Sequence, residues 1–370
     1  MTMRISKITV YQVDLPLTKP YYLSGGRLRF DRLDSTFVRL DTDGGLIGWG
    51  EGCPWGHTYL PAHGPGIRAG IATLAPAILG QDPCGLEALN HTMDTQLPGH
   101  PYVKSAIDMA AWDILGQQAG LPLWKLMGGG AAAPVAVNSS ISTGTPEEMI
   151  ALIRAAYDKG YRVHSAKIGG TDLNLDRARI TAIEDALHGD EAVTFDVNRA
   201  WTPAAAISVL NSVQSRSWVE QPCETLDACA HVSARVQQPI MLDECMHTFG
   251  DHLQAWRRGA CEGVKVKPNR VGGLTKAKQI RDFGVCVGWA MHIEDLGGSA
   301  MADTAAIHLA AATPEANRLA TWLCHDHLAV DPVPGQGSRQ INGFVTPPST
   351  PGLGVKPDLN ILGDPVAIYE

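Results

Sequence analysis

Apolar and polar positions alternate from residue 4 to residue 50, most clearly in ISKITVYQVDL (5–15) and STFVRLDTDGGLIGWGE (35–51). A period of two belongs to half-buried strands, and the TDGG at 42–45 supplies a tight turn between two of the runs. An antiparallel sheet is therefore expected. Between about 64 and 128 the spacing lengthens to that of helices, in GIRAGIATLAPAILG, EALNHTMDTQL and YVKSAIDMAAWDILGQQAG, the last stopping at Gly120 before Leu121-Pro122. Residues 1–130 thus predict an α+β domain.

From about 135 short apolar runs alternate with longer amphipathic ones, the pattern of βαβ units around a parallel sheet. VAVNSS (135–140) reads as the first strand and RLATWLCHD (318–326) as the last, with YRVHSAK, AVTFDVN, SWVEQP, PIMLDE, GVKVKPN and WAMHIED between them. Eight strands predict an α/β fold, a modified (β/α) TIM-type barrel over 131–330. Each of the six middle runs carries an ionisable residue near its carboxyl end: Lys167, Asp196, Glu220, Asp243, Lys267, and Glu294 with Asp295. The steps from Lys167 to Asp295 are 29, 24, 23, 24 and 28 residues, close to one strand plus one helix each. Charged groups at the C-terminal mouth of such a barrel read as catalytic. Thr202-Pro203 has the form of an N-cap followed by a first-turn proline. The loop-rich remainder, 331–370, is expected to pack back on the first domain as its C-terminal completion.

Composition narrows the function. A chain of 370 residues with 45% hydrophobic and 18% charged residues buries a large core, and a net charge of −8 without a basic run offers nothing to a phosphate backbone. No nucleic-acid partner is expected. No apolar run reaches membrane-spanning length and the start MTMRISKITVYQV has no signal-peptide core, so a cytoplasmic protein without a membrane partner is expected. Eight scattered cysteines without CxxC spacing fit reduced thiols.

Asp196, Glu220 and Asp243 end successive strands, so closing the barrel brings them toward one point. Three carboxylates there repel one another, and a hard divalent cation with oxygen ligands, Mg²⁺, removes the conflict. Lys167 and Lys267 then flank the metal from opposite sides. A lysine beside a dication and partly out of water is expected to lose its proton more readily, as a general base requires.

The set Lys167, Phe195-Asp196-Val197-Asn198, Trp218-Val219-Glu220-Gln221-Pro222, Leu242-Asp243-Glu244 and Lys267-Pro268-Asn269-Arg270-Val271-Gly272-Gly273-Leu274 resembles the enolase superfamily, in its muconate-lactonizing-enzyme type. GWGE (48–51), SAIDMAAWDILGQQAGLPLWKLMGG (105–129) and TPGLGV (350–355) resemble that family's capping domain and tail, so the likeness runs along nearly the whole chain. It implies that Mg²⁺ holds a substrate carboxylate while a lysine removes the α-proton. Many members carry Lys-x-Lys where this chain has Ser165-Ala166-Lys167. The missing cation suits a substrate that is itself cationic.

With the loops YYLSGGRLRFD (21–31) and CPWGHTYLPAHG (53–64), that feature resembles most the hydroxyproline-processing branch, cis-3-hydroxy-L-proline dehydratases and then hydroxyproline betaine 2-epimerases. The likeness implies a lyase that dehydrates the hydroxyproline to pyrroline-2-carboxylate, or an isomerase that inverts its α-carbon. It places Trp55, His57, Tyr59 and Trp322, with Asp295, against a small amino-acid substrate, aromatic faces suiting a cationic amine. Ser165, Asn198, Glu244, Lys265 and Glu294 stand behind them. Glu294 or Asp295 orients Lys267 or caps the next helix, Glu244 fixes a neighbouring lysine, and Lys265 is a supporting partner or a buried structural lysine. Members of this family commonly associate, so a homo-oligomer is expected.

Three other readings compete. Glu220 and Asp243 have the form of a barrel glycosidase's carboxylate pair, which leaves Asp196 and both lysines without work. A carboxylate-binding barrel without chemistry is the second. Cys324-His325-Asp326-His327 resembles a soft-metal run, but neighbours on a strand point to opposite faces and cannot all meet one ion.

Overall fold

The computed structural model describes residues 3–23 and 28–370. Residues 24–27, the middle of the 21–31 loop, lie outside the described residues.

The first domain is a four-stranded antiparallel sheet faced by helices. Its strands stand in the order Ala367–Tyr369, Ile5–Leu23, Leu28–Thr42, Ile47–Gly52, with Ile8 opposite Leu40 on one side and Tyr369 on the other. The helices are Gly64–Ile78, Leu86–Gln96 and Pro101–Ala119. The last of these is buried nearly all round because it lies directly on the strand Ile47–Gly52. GWGE explains how: a β-carbon on Gly48 would sit 2.1 Å from Ala110 O, and one on Gly50 would sit 2.0 Å from Ala106 O. Only glycines let strand and helix backbones approach so closely.

The second unit is a parallel barrel whose strands, in chain order, are Asn138–Ile141, Val163–Lys167, Ala192–Asp196, Trp218–Glu220, Ile240–Leu242, Gly263–Val266, Ala290–Ile293 and Arg318–Ala320. It closes between first and last through a parallel bridge of Val137 with Thr321, in which Asn138 N donates to Thr321 O at 2.8 Å and Thr321 N to Ala136 O at 2.8 Å. Threonines start four of the outer helices. Thr145, Thr202, Thr225 and Thr248 each accept the amide three residues on, from Glu148, Ala205, Ala228 and Asp251. Each such cap meets one of the amides that a helix start leaves without a partner.

Two strands differ from the sequence expectation. VAVNSS splits: Val135–Ala136 pairs antiparallel with Phe344–Val345, and only Asn138 onward enters the barrel. RLATWLCHD leaves the barrel after Thr321, and His325–His327 form a single 3₁₀ turn. Asp303 draws that turn in, accepting from His325 N at 2.9 Å and pairing with His325 Nδ1 at 2.6 Å. A short helix, Pro268–Val271, follows the sixth strand and takes up the last two residues of GVKVKPN, which read as strand. The tail returns through Gly352, whose bridge to Pro122 and contact with Gly116 set it against the first domain before its last strand joins that sheet. No described helix is long and apolar enough to cross a membrane.

Candidate active site

Strand register assembles the site. Lys167 at the end of the second strand is the register partner of Asp196 on the third, and Asp196 is the partner of Glu220 on the fourth. Asp243 follows the fifth strand and Lys267 the sixth, where Lys265 faces His292 and so sets Lys267 beside Glu294. In an eight-stranded barrel the second and sixth strands are diametrically opposed. The two lysines therefore face each other across one cavity.

That cavity is walled on the barrel side by Lys167, Asp196, Asn198, Glu220, Asp243, Lys265, Lys267, Glu294 and Asp295. Tyr21, Leu23, Trp55 and Tyr59 close it from the first domain, and Asn138, Ser140, Ser165, Leu296 and Trp322 complete it. Tyr21, Trp55 and Trp322 pack edge to face, with centroids 5.0 to 6.1 Å apart. Such contacts fix ring orientation and add about 0.5–1.5 kcal/mol each beyond area burial.

The carboxylates are each engaged by a cation. Asp196 pairs with Lys167 Nζ. Asp243 takes Lys267 Nζ at 2.9 Å on Oδ2 and Arg270 Nη1 at 2.5 Å on Oδ1. Glu220 Oε2 has the Lys265 ammonium at 3.1 Å, but no partner with hydrogen-bond geometry. Lys265 and Lys267 also share Glu294 Oε1, at 3.1 and 3.5 Å. Among the described residues no three His, Cys, Asp or Glu side chains converge on one coordination point. Asp196, Glu220 and Asp243 nonetheless line one cavity, close enough that the first and last raise the Glu220 carboxyl. Lys167, Lys265, Lys267 and Arg270 supply the positive charge around them.

Electrostatics follow the same pairing. Burial raises the Glu220 carboxyl well above its ordinary range, and the neighbouring Asp196 and Asp243 add to the effect. Burial pushes Asp243 up as well, but Arg270 and Lys267 outweigh it and hold that carboxyl far below its usual value. Asp295 is pushed up to about 8 by burial. Burial disfavours the Lys167 ammonium, yet Asp196, Tyr21 and Glu220 together outweigh it, and the group sits above its ordinary value.

Other expected residues sort cleanly. Trp55, Tyr59, Asp295 and Trp322 line the cavity, but His57 does not: it is exposed, turned out of the loop that carries Trp55 inward. Glu244 was expected to fix a lysine. It accepts instead from Tyr59 Oη at 2.9 Å and Asn198 Nδ2 at 3.2 Å, with Arg199 Nε at 3.7 Å, because it points away from the lysine side of the fifth strand. Asp295 accepts from Asn269 N and Nδ2 and from Leu296 N, so Glu294 is the carboxylate that meets Lys267. Arg270, Tyr21, Ser140 and Asn138 carried no expected role. Arg270 stood in the Lys267–Leu274 run that carries the family likeness, but its bond to Asp243 depends on the helical turn Pro268–Val271, which the sequence pattern did not reveal.

Comparison with known proteins bears on the whole chain. Residues 6–128 match the mandelate racemase/muconate lactonizing enzyme N-terminal domain, and residues 148–361 match the enolase C-terminal domain-like family. The chain belongs to the enolase superfamily. This enolase-superfamily chain is 38% identical to a cis-3-hydroxy-L-proline dehydratase of Roseibium aggregatum, across 100% of both chains. It is 30% identical to an N-succinyl-L-Arg/Lys racemase of Bacillus cereus, over 83% of this chain and 84% of the relative. A crystal structure of an enolase-superfamily member from Roseovarius nubinhibens complexed with magnesium is 69% identical and superposes with a TM-score of 0.97 over 100% of each chain. Membership sets aside the glycosidase reading, and it makes the chain an enzyme of a superfamily whose matched relatives include a dehydratase, a racemase, epimerases and cycloisomerases.

Proposed function

We propose that the protein removes the α-proton of an amino-acid carboxylate in a Mg²⁺-dependent reaction, and that its substrate is cis-3-hydroxy-L-proline, which it dehydrates. The observation that carries the reading is the pair of lysines on opposed strands, Lys167 and Lys267, with three buried carboxylates between them.

Those carboxylates fit a hard cation. Glu220 is buried, poorly matched in charge and raised in pKa by its own neighbours, which is how an oxygen site short of positive charge behaves. Asp196, Glu220 and Asp243 would hold Mg²⁺, which would supply positive charge against the negative charge that develops on the substrate.

The chain's own groups do the rest. Lys167 or Lys267, as the free amine, takes the Cα proton and so becomes an ammonium. The opposite lysine, or water, protonates the 3-hydroxyl, and the C3–O bond breaks to release water. The product is a cyclic enamine that tautomerises to pyrroline-2-carboxylate. Trp55, Tyr21 and Trp322 offer ring faces to the ring nitrogen, at about 0.5–2 kcal/mol per cation–π contact. Tyr59 and the buried wall exclude water.

A second reading rests on the same opposed lysines. If the second lysine returns a proton to the other face of Cα, the outcome is 2-epimerisation of a hydroxyproline betaine or related proline, and racemase and epimerase relatives support it. Incubating the protein with Mg²⁺ in D₂O, with each of the two substrates, and following proton NMR separates them. Conversion of cis-3-hydroxy-L-proline to pyrroline-2-carboxylate is expected. Deuterium at Cα without loss of water moves the assignment to epimerisation, and no exchange with either substrate overturns both in favour of a barrel that only binds.

A further inference from the structure

On the outer face of the barrel, Ser139 of the first strand is the register partner of His164 on the second. Strand alternation turns both away from the mouth, since their neighbours Asn138, Ser140 and Ser165 line the inner cavity. The two side chains meet, with Ser139 Oγ 2.7 Å from His164 Nδ1. His164 Nε2 in turn stands 2.9 Å from Glu191 Oε1. The other Glu191 oxygen accepts from Arg154 Nη2 at 2.5 Å and from His188 N at 2.7 Å, so the carboxylate is held in place.

The proton positions follow from these contacts. Burial raises the Glu191 carboxyl, but His188, Arg154 and His164 outweigh it and hold the group below its ordinary value. Glu191 is then an acceptor alone at neutral pH, so His164 must give it the Nε2 proton. Burial lowers His164 by more than Glu191 restores, which leaves the imidazole neutral. Nδ1 is therefore bare, and Ser139 donates to it. A hydroxyl bonded to an unprotonated imidazole nitrogen, with the far nitrogen fixed by a carboxylate, is the arrangement of an activated nucleophile on any fold.

There is also room for a reactant. A cavity of about 330 Å³ lies between the first strand and the helix Pro146–Asp158. Ser139 is half-buried and lies on its wall with the apolar Ile141, Leu152, Ala156 and Leu323. Lys159, exposed, is the only lysine or arginine among the described residues that line it.

We propose that Ser139 is a nucleophile for small activated acyl esters, with His164 as its base and Glu191 as the group that orients the base. The Ser139 oxygen bonds to the ester carbonyl carbon while its proton passes to His164 Nδ1. The bond from that carbon to the alcohol oxygen then breaks, the alcohol leaves with the proton, and the acyl group stays on Ser139. Glu191 stabilises the imidazolium between the two transfers. The apolar wall suits a short acyl chain, and the Lys159 ammonium suits the negative charge that the carbonyl oxygen gains. None of the three side chains lines the cavity at the barrel mouth, so the proposal stands whether or not the reaction proposed above is correct.

The full-length protein treated with p-nitrophenyl acetate tests it, with peptide mass spectrometry over time to place each acetyl group. Ser139 is expected to be acetylated faster than any other serine, by about a hundredfold or more, the lower end of what a positioned base supplies. His164→Gln is expected to lower that rate by about the same factor. Should His164→Gln fail to fold, Glu191→Gln replaces it, with a loss of about tenfold or more expected. Two results overturn the proposal: Ser139 labelled no faster than other serines, or labelled at the parent rate in the folded variant.

Discussion

Tyr59 Oη donates to Glu244 Oε1 at 2.9 Å, a hydrogen bond from a loop of the first domain to the residue that follows Asp243. Asn198 Nδ2 donates to the same oxygen at 3.2 Å and to Asp196 Oδ2 at 3.2 Å. The loop that carries Tyr59 is therefore three hydrogen bonds away from Asp196, a proposed metal ligand. Glu244 is buried, and burial with Asp243 and Asp196 nearby pushes its carboxyl up to about 7. Tyr59→Phe removes the only phenolic donor from this carboxylate and leaves the ring in place. It is expected to lower stability in urea by about 1.5–3 kcal/mol, the range for a bond to a charged group. An unchanged midpoint at an unchanged slope would show that the bond is incidental.

Lys167 and Asp196 are a nearly buried pair, with side chains 14% and 1% exposed. Breaking such a pair from one side costs about 3–5 kcal/mol, because the remaining charge is left unmatched. Lys167→Met is thus expected to be clearly destabilised in EDTA. Adding Mg²⁺ at about 100 times its dissociation constant stabilises any binding-competent protein by about 2.7 kcal/mol. The variant is expected to gain more than the parent, since its Asp196 no longer has to be taken from a lysine. Thermal melts with and without Mg²⁺ read both, and an equal gain in the two proteins would sink the competition between lysine and metal.

Ser165 lies two residues before Lys167 and lines the same cavity, its buried hydroxyl without a partner. A lysine there would set a second ammonium near a cationic substrate. Like charges about 4 Å apart repel by about 1–4 kcal/mol at a partly screened site, roughly tenfold or more in affinity. Ser165→Lys is therefore expected to raise KM for an amino acid while Mg²⁺ affinity, measured by calorimetry without substrate, changes little. An unchanged KM would argue against a cationic group bound near Ser165.

The strand ends were legible because a strand plus a helix takes a near-constant length, so Lys167, Asp196, Glu220, Asp243 and Lys267 announce themselves by spacing alone. What spacing cannot convey is which charge each one meets. Lys265 takes Glu220 and Glu294, and Arg270 takes Asp243, because the carboxylates need partners in a dry interior and the nearest ammonium or guanidinium wins. Arg270 stayed hidden because one turn of helix after a strand has no period to detect. Tyr21 and His57 exchanged places for a similar reason. Loop residues gain their direction from packing, and Tyr21 is held by Ser140 Oγ at 2.7 Å and by Trp55 and Trp322, while nothing draws His57 inward.

Asp113 provides a test of the fold that is independent of the chemistry. It sits on the helix Pro101–Ala119, and its buried carboxylate accepts from Trp49 N at 3.0 Å and Leu353 N at 2.8 Å, joining the GWGE strand to the returning tail. Burial outweighs those amides and pushes its pKa up to about 6. In the unfolded chain the group titrates near 3.9, so between about pH 4 and 6 the folded state holds the extra proton and the contribution to stability falls as pH rises. The difference corresponds to roughly 2–3 kcal/mol between the two ends of that window. Asp113→Asn cannot titrate. All other groups are common to both proteins, so the stability of the variant relative to the parent is expected to improve as pH goes from about 4 to 7, by up to that amount. Urea unfolding at several pH values measures it, and two parallel profiles would mean that Asp113 keeps an ordinary pKa in the folded protein.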